Sequence, residues 1–182
     1  MNIKKSEIDG VWSLSFLNHS DSRGNFREWF KSSIANEAAG QEILFKQANY
    51  SKSKLNVIRG IHFTINSEPE FKLVSCISGA ILDVAVDLRI DSPTFGSSSY
   101  YKLSEENGNS LLISDGIGHA FLSLSENAVI SYLVTSEYDS KLEVSVNPFD
   151  PELNIDWGGD QFIVSDKDRY SQSFSDYRAT GM

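Results

Sequence analysis

The chain has 182 residues, a length for one domain with room for a terminal extension and for a core that needs no staples. A net charge of −9 argues against a nucleic-acid backbone as the main partner, although a few arginines can still make a local pocket for phosphate. A single cysteine excludes an internal disulfide, no apolar stretch is long enough to span a membrane, and the polar start shows no signal peptide, so a cytoplasmic protein is the expectation.

In chain order, His19 lies among Asn18, Ser20 and Asp21 and reads as a surface loop residue. Ser32 to Ala39 suits a short helix that stops at Gly40. Val57 to Phe63 is a strand in which Arg59, Gly60 and His62 interrupt apolar residues. Lys72 opens the next strand. Cys76, in the apolar run Leu73 to Ile77, reads as a small buried hydrophobe. From Ala80 to Arg89, Leu82, Val84, Val86 and Leu88 alternate with Ile81, Asp83, Ala85 and Asp87, a period of two with one apolar and one partly charged face. Ser92 to Gly96 punctuates that strand.

Leu111 to Ser114 is a further apolar run, Asp115 to Gly118 a turn, and His119 to Leu124 a strand. Ser125 to Asn127 turns again before a strand from Ala128 to Thr135. Near the end, Ser165-Asp166-Lys167-Asp168 resembles a capping box that opens a short helix. Short strands at this spacing predict a mainly β chain, an antiparallel sandwich or barrel with small helical additions.

The three histidines set the chemistry. A metal site is disfavoured, because the residue two past His62 is Thr64 and only His119 remains as a remote ligand. No Gly-x-Ser-x-Gly elbow is present, and Cys76 has no histidine near it in sequence. Acid–base work remains. His62 or His119 could serve as base near neutral pH, Lys72 could stabilise an enolate oxygen, and Tyr132 or Tyr138 could return a proton. Taken singly, each also has a plain reading: a hydrogen-bonded core histidine, a strand-edge lysine, a packed or surface tyrosine.

Several segments then become recognisable in order. They are Asp21-Ser22-Arg23-Gly24-Asn25-Phe26-Arg27-Glu28, Gln47-Ala48-Asn49-Tyr50-Ser51-Lys52-Ser53, Arg59-Gly60-Ile61-His62-Phe63, and Lys72. Gly79 to Arg89 with Ser92-Pro93-Thr94-Phe95-Gly96 follows, then Gly118-His119-Ala120-Phe121, and Tyr132, Tyr138 and Glu143. Asp150-Pro151, Ile155-Asp156-Trp157 and Ser165 to Asp168 close the series. This succession, from about Asp21 to Asp168, resembles the dTDP-4-dehydrorhamnose 3,5-epimerase family.

The resemblance implies a cupin jelly roll, with residues 1–182 as one domain. It implies an N-terminal segment exchanged across a homodimer, a short helical tail, and neither metal nor cofactor. The implied ligand is a nucleotide-linked, dTDP-type 4-keto-6-deoxyhexose, with no nucleic-acid or membrane partner. It implies His62 as base with Asp168 orienting it, Tyr132 as acid on the opposite ring face, and Lys72 on the C4 ketone or its enolate. Arg59 and Arg23 are implied to bind the diphosphate and nucleotide. Phe26, Glu28, Gln47 and Asn49 would hold the nucleoside, partly across the dimer, while Asp83, His119, Tyr138 and Glu143 line the site.

The chain departs from the family pattern at Thr64, where glutamine is common, at Ser114, and after Trp157, where Gly158-Gly159 replaces proline. Val146 to Pro151 looks more like the branch that makes deoxysugars of natural products. These departures leave the acid–base set intact and bear on the substrate and on whether one or two carbons invert. The rivals are a cupin 3,4-ketoisomerase and a non-catalytic sugar-nucleotide-binding cupin. One geometric requirement stands out: in a regular strand Arg59 and His62 face opposite ways, so a bulge near Gly60, or an arginine reaching around the barrel mouth, is needed for both to meet one ligand.

Overall fold

The computed structural model describes residues 2–66 and 68–180. Among the described residues, thirteen strands and three short helices follow one another. They are β1 (Asn2–Lys5), β2 (Val11–Ser15), β3 (Asn18–Asp21), β4 (Gly24–Arg27), α1 (Ser32–Ala39), β5 (Gln47–Ser53), β6 (Ile58–Thr64), β7 (Lys72–Ser78) and β8 (Ala80–Asp87). Then come β9 (Ser98–Ser104), β10 (Asn109–Ile113), β11 (Ile117–Ser123), β12 (Ala128–Val134), β13 (Glu143–Ser145), α2 (Asp166–Arg169) and α3 (Phe174–Thr180).

Two antiparallel sheets face each other, in the orders β1-β2-β10-β7-β12-β5 and β13-β6-β11-β8-β9, and β3 with β4 forms a separate hairpin. This is the jelly roll that the family resemblance implies. The expected helix is α1, and its stop is as expected, because Gly40 takes the left-handed conformation at φ 69°. Two expectations shift. β11 starts at Ile117 rather than His119, because the turn needs only Asp115 and Gly116. His19 is exposed as expected but lies in strand β3 rather than a loop, because a turn at Asp21 closes the hairpin, with the Arg23 N–H donating to Asp21 Oδ1 at 2.8 Å.

Strand alternation feeds three apolar layers. Between the sheets pack Val74 and Cys76 of β7, Ile81 and Ala85 of β8, Leu111, Phe121 and Ile130. Outside the first sheet, Leu73 and Leu112 meet Ile34 and Ala35 of α1. Outside the second, Val84, Val86 and Leu88 of β8 are covered by Trp157, Phe174 and Tyr177 from the C-terminal segment. Both faces of β7 and β8 are therefore buried. Cys76 is the buried hydrophobe expected of it, and burial pushes its thiol up to about 11.

The partly charged face of β8 looks inward. Asp83 and Asp87 are fully buried there. Asp87 accepts from Arg89 Nε at 2.9 Å, Arg89 NH2 at 2.8 Å, Ser92 Oγ at 2.5 Å and Thr94 Oγ1 at 2.6 Å. The Ser-Pro-Thr segment thus folds back to satisfy a buried carboxylate.

Candidate active site

β6 sets the site. Its register against β11 pairs His62 with His119 but Arg59 with Phe121, so β6 spends three steps where β11 spends two. The extra residue is a bulge, the first of the two devices that the strand pattern allows, and it turns Arg59 and His62 into one cavity. Gly60 makes it possible. Its φ is 114°, and a Cβ there would stand 2.5 Å from the His119 carbonyl oxygen and 2.7 Å from Ala120 Cα.

The cavity holds about 530 Å³ between the two sheets. β5 contributes Gln47, Asn49 and Ser51 at alternate positions, β7 contributes Lys72, β11 His119, β12 Tyr132 and β13 Glu143. Asp168 Oδ1 lies 2.7 Å from His62 Nε2. The other carboxylate oxygen accepts the Gly60 N–H at 3.4 Å. Asp168's own backbone N–H is capped by Ser165 Oγ at 3.1 Å. The half capping box therefore leaves the Asp168 side chain free to face the histidine.

Burial works to raise the Asp168 carboxyl, but the hydrogen bond and charge of His62, with the Gly60 N–H and Ser165, outweigh it and lower the pKa. An ionised carboxylate only accepts, so it fixes the proton on His62 Nε2 and leaves Nδ1 with a lone pair.

A second pair lies beside the first. His119 Nε2 is 2.8 Å from Asp83 Oδ2, both residues being buried, and Asp83 Oδ1 has no partner among the described residues. Asp83 thus stands behind His119 rather than in the cavity wall. Lys72, the first residue of β7, is half-buried. Burial lowers its pKa, against the charges of Glu70, Glu143 and Asp83, which act to raise it. Tyr132 is half-buried, and burial followed by the charge of Glu143 raises its phenol.

At the rim, Tyr138 is 63 % exposed. Its N–H donates to Gln47 Oε1 at 2.9 Å, and its hydroxyl donates to Glu143 Oε2 at 3.3 Å. Gln47 Nε2 in turn donates to Asn49 Oδ1 at 2.8 Å. Arg59 Nε donates to Ser53 Oγ at 3.1 Å.

Besides Asp83, three expected residues stay outside this cavity within one chain. Arg23 is paired with Asp21 at 2.6 Å with its side chain 88 % exposed, Phe26 is 66 % exposed on β4, and Glu28 pairs with Lys31 at 2.6 Å. All three belong to or border the β3–β4 hairpin. Conversely, the cavity includes residues that motif reading passed over. Lys167 of α2 forms an ion pair with Glu143, and Glu70, Ser51 and Ser136 complete the wall. The position of Glu70 two residues before Lys72, just ahead of β7, was the available signal. Among the described residues, no group of three or more His, Cys, Asp or Glu side chains is arranged to hold a metal ion.

Residues 5–176 match the family model described as dTDP-4-dehydrorhamnose 3,5-epimerase. The chain is 36% identical over its whole length to a dTDP-4-dehydrorhamnose 3-epimerase of Streptomyces niveus, covering 88% of that protein. It is 35% identical, again over its whole length and 92% of the other, to the dTDP-4-dehydrorhamnose 3,5-epimerase of Mycobacterium tuberculosis. The solved structure of the Mycobacterium tuberculosis epimerase superposes with a TM-score of 0.95 over 100% of this chain and 92% of that one, at 35% identity. A 3'-monoepimerase from Streptomyces bikiniensis, solved in complex with dTDP-quinovose, superposes with a TM-score of 0.92 over 97% of this chain and 89% of that one, at 37% identity.

Proposed function

The chain belongs to the dTDP-4-dehydrorhamnose 3,5-epimerase family, and on that premise we propose that it inverts C3, C5 or both of a dTDP-linked 4-keto-6-deoxyhexose. The activity class, an epimerase and hence an isomerase, is that of its relatives. The observation that carries the reading is the His62–Asp168 pair at 2.7 Å, opening on a cavity that Tyr132 and Lys72 share.

The chemistry follows from those groups. A proton on the carbon beside a ketone is acidic because the electron pair left behind moves onto the carbonyl oxygen. His62 takes that proton while Asp168 stabilises the imidazolium. Lys72 faces the enolate oxygen, with charge that counts for more in a cavity shielded from water. Tyr132 protonates the carbon from the other side, which inverts it. Solvent then reprotonates the phenolate and relieves the imidazolium. The His119–Asp83 pair adds a polar floor beside Lys72. No step requires a metal or cofactor.

Arg59, Gln47, Asn49, Tyr138 and Glu143 bind the nucleotide-sugar in this reading. The acting unit is a homodimer in which Arg23, Phe26 and Glu28 of the exposed β3–β4 hairpin serve the partner's cavity. Their exposure outside the cavity of their own chain supports this. No helix among the described residues is long and apolar enough to cross a membrane. The proposed compartment is the cytoplasm, and the whole chain acts as one domain.

The test is proton exchange in deuterated water with dTDP-4-keto-6-deoxyglucose, read by NMR. Label at C3 alone defines a 3-epimerase and label at C3 and C5 a 3,5-epimerase. No label at either carbon overturns the proposal.

A further inference from the structure

Glu70 lies in the cavity wall, yet no step above uses it. Its side chain is buried. Ser136 Oγ donates to its Oε2, and Asn66 Nδ2 reaches the same oxygen at 3.4 Å. Its backbone N–H donates to Asp115 Oδ1 at 3.2 Å. Both side-chain partners are neutral, so a buried carboxylate is held in place without a paired cation, a costly arrangement unless positive charge stands nearby.

The acids deepest in the site, apart from Glu70, are committed, Asp168 to His62 among them. Glu143 pairs with Lys167, and Asp83 pairs with His119. The cations are committed too, with one exception. Lys167 belongs to Glu143 and Arg59 donates to Ser53, whereas Lys72 has no carboxylate within ion-pair distance among the described residues. Glu70 stands two residues before Lys72, just ahead of β7, and both line the same cavity.

We propose that Glu70 is a positioning residue for this reaction: its anchored carboxylate keeps the Lys72 ammonium charged and directed into the cavity. The inference rests on the epimerase reading of Lys72. Its logic is desolvation. An ammonium taken from water tends to shed its proton, and burial lowers the pKa of Lys72, with Glu70 the foremost of the charges that oppose the loss. Anchoring by Ser136 rather than by Lys72 itself leaves the lysine free to reach a ligand oxygen.

Other groups face Lys72 as well. Glu143 comes from β13, Asp83 from β8, His119 from β11, His62 from β6 and Tyr132 from β12. Asp115 reaches in from the β10–β11 turn, its carboxyl raised by burial. Glu137, Tyr138, Asp139 and Lys167 sit at the rim. Of these, Asp115 also feels the Glu70 charge, which helps raise its carboxyl, so the titration of Lys72 itself is followed beside the rate profile.

The experiment is the pH dependence of kcat for wild type, Glu70→Gln and Glu70→Asp, with the titration of Lys72 followed by NMR of 13C-labelled lysine. Removing the charge should move the alkaline limb and the Lys72 titration down together by about one pH unit or more, the usual effect of losing an opposite charge at close range. Glu70→Asp, which keeps the charge, should restore most of that shift. If Glu70→Gln leaves both titrations where wild type has them, the proposal is overturned. Should Glu70→Gln not fold, Glu70→Asp and the wild-type titration still decide, because a Lys72 signal insensitive to protonation of Glu70 refutes the coupling. Lys72→Ala separates the two ideas: full activity in that variant removes the epimerase role of Lys72, whereas loss of activity there with an unmoved Glu70→Gln profile removes only Glu70.

Discussion

His62 and His119 stand directly opposite one another on neighbouring antiparallel strands, and each ring is tied to a carboxylate from a different element, Asp168 of α2 and Asp83 of β8. Each histidine therefore has one nitrogen committed. The pairs differ in exposure. Asp83 and His119 are buried together, while the His62 ring is half-exposed to the cavity. A base must reach substrate, which favours His62, and a buried pair suits a fixed electrostatic role.

The bulge that aims His62 rests on one glycine. In Gly60→Ala the new methyl meets the backbone of His119 and Ala120, which cannot yield as a flexible side chain would, and the residue keeps a φ of 114°. Overpacking of this kind costs about 1–3 kcal/mol. Melting should fall by roughly 2–4 °C for each kcal/mol in a chain of this size. Activity should fall further than stability, because Arg59 and His62 are re-aimed together. Unchanged melting and unchanged kcat in this variant would show that the register does not depend on Gly60.

Asp87 makes a pH prediction. Burial tends to raise its carboxyl, but the hydrogen bonds from Arg89, Ser92 and Thr94 win, and the pKa is lowered to about 2. The unfolded chain therefore binds a proton more readily than the folded one between the ordinary carboxylate value and about 2. The contribution of Asp87 is complete above the ordinary value and is lost as pH falls through the folded one. It amounts to about 2 kcal/mol on linkage grounds. Denaturant unfolding at several acidic pH values, in wild type and Asp87→Asn, checks it. The difference between the two should shrink toward pH 2, and a constant difference contradicts the assignment.

Much of this arrangement can be read in the sequence, and the rest fails for identifiable reasons. The alternation in β8 and the apolar runs around His119 and Tyr132 announce strands, because a period of two suits only a pleated surface. Gly40 announces the end of α1. Alternation does not say which face of β8 meets the other sheet: Asp83 and Asp87 mark the more charged face, yet it is the one turned inward, since each acid finds a partner on another segment. The bulge at Gly60 could be anticipated from the need to aim Arg59 and His62 together, but its register could not be counted without β11. Asp168 reaches His62 only through the path of the C-terminal segment, and the family resemblance, not spacing, pointed to that pair. Glu70 and Ser136 are distant in sequence and share no motif, so nothing local joins them.

The exposed hairpin yields a third prediction. Arg23→Ala should raise KM with little effect on kcat, as expected when ground and transition states lose the same contact. If Arg23 serves the partner's cavity, mixing His62→Asn subunits with Arg23→Ala subunits should regain activity at low substrate, since one site of each hybrid dimer is intact. Random exchange should approach about a quarter of wild-type activity, set by the two-fold geometry. No recovery on mixing, with subunit exchange verified by mass, would place Arg23 in the site of its own chain or in none.

The most discriminating prediction separates the two faces of the sugar. His62→Asn removes the base and should stop both epimerisation and solvent exchange at carbon. Tyr132→Phe keeps the ring that packs against the inner core and loses only the hydroxyl, so the fold should survive. His62 can then still remove a proton and return a solvent deuteron to the same face, giving exchange without inversion. General acid–base groups contribute on the order of 10²–10⁴-fold, so both defects should be plain. Deuterium at C3 and C5 is followed by NMR together with product configuration. Exchange at the wild-type rate in His62→Asn would move the base to His119, whose ring lies opposite on β11. Full inversion in Tyr132→Phe would instead hand the acid role to another hydroxyl of the wall, with Tyr138 at the rim the next to test.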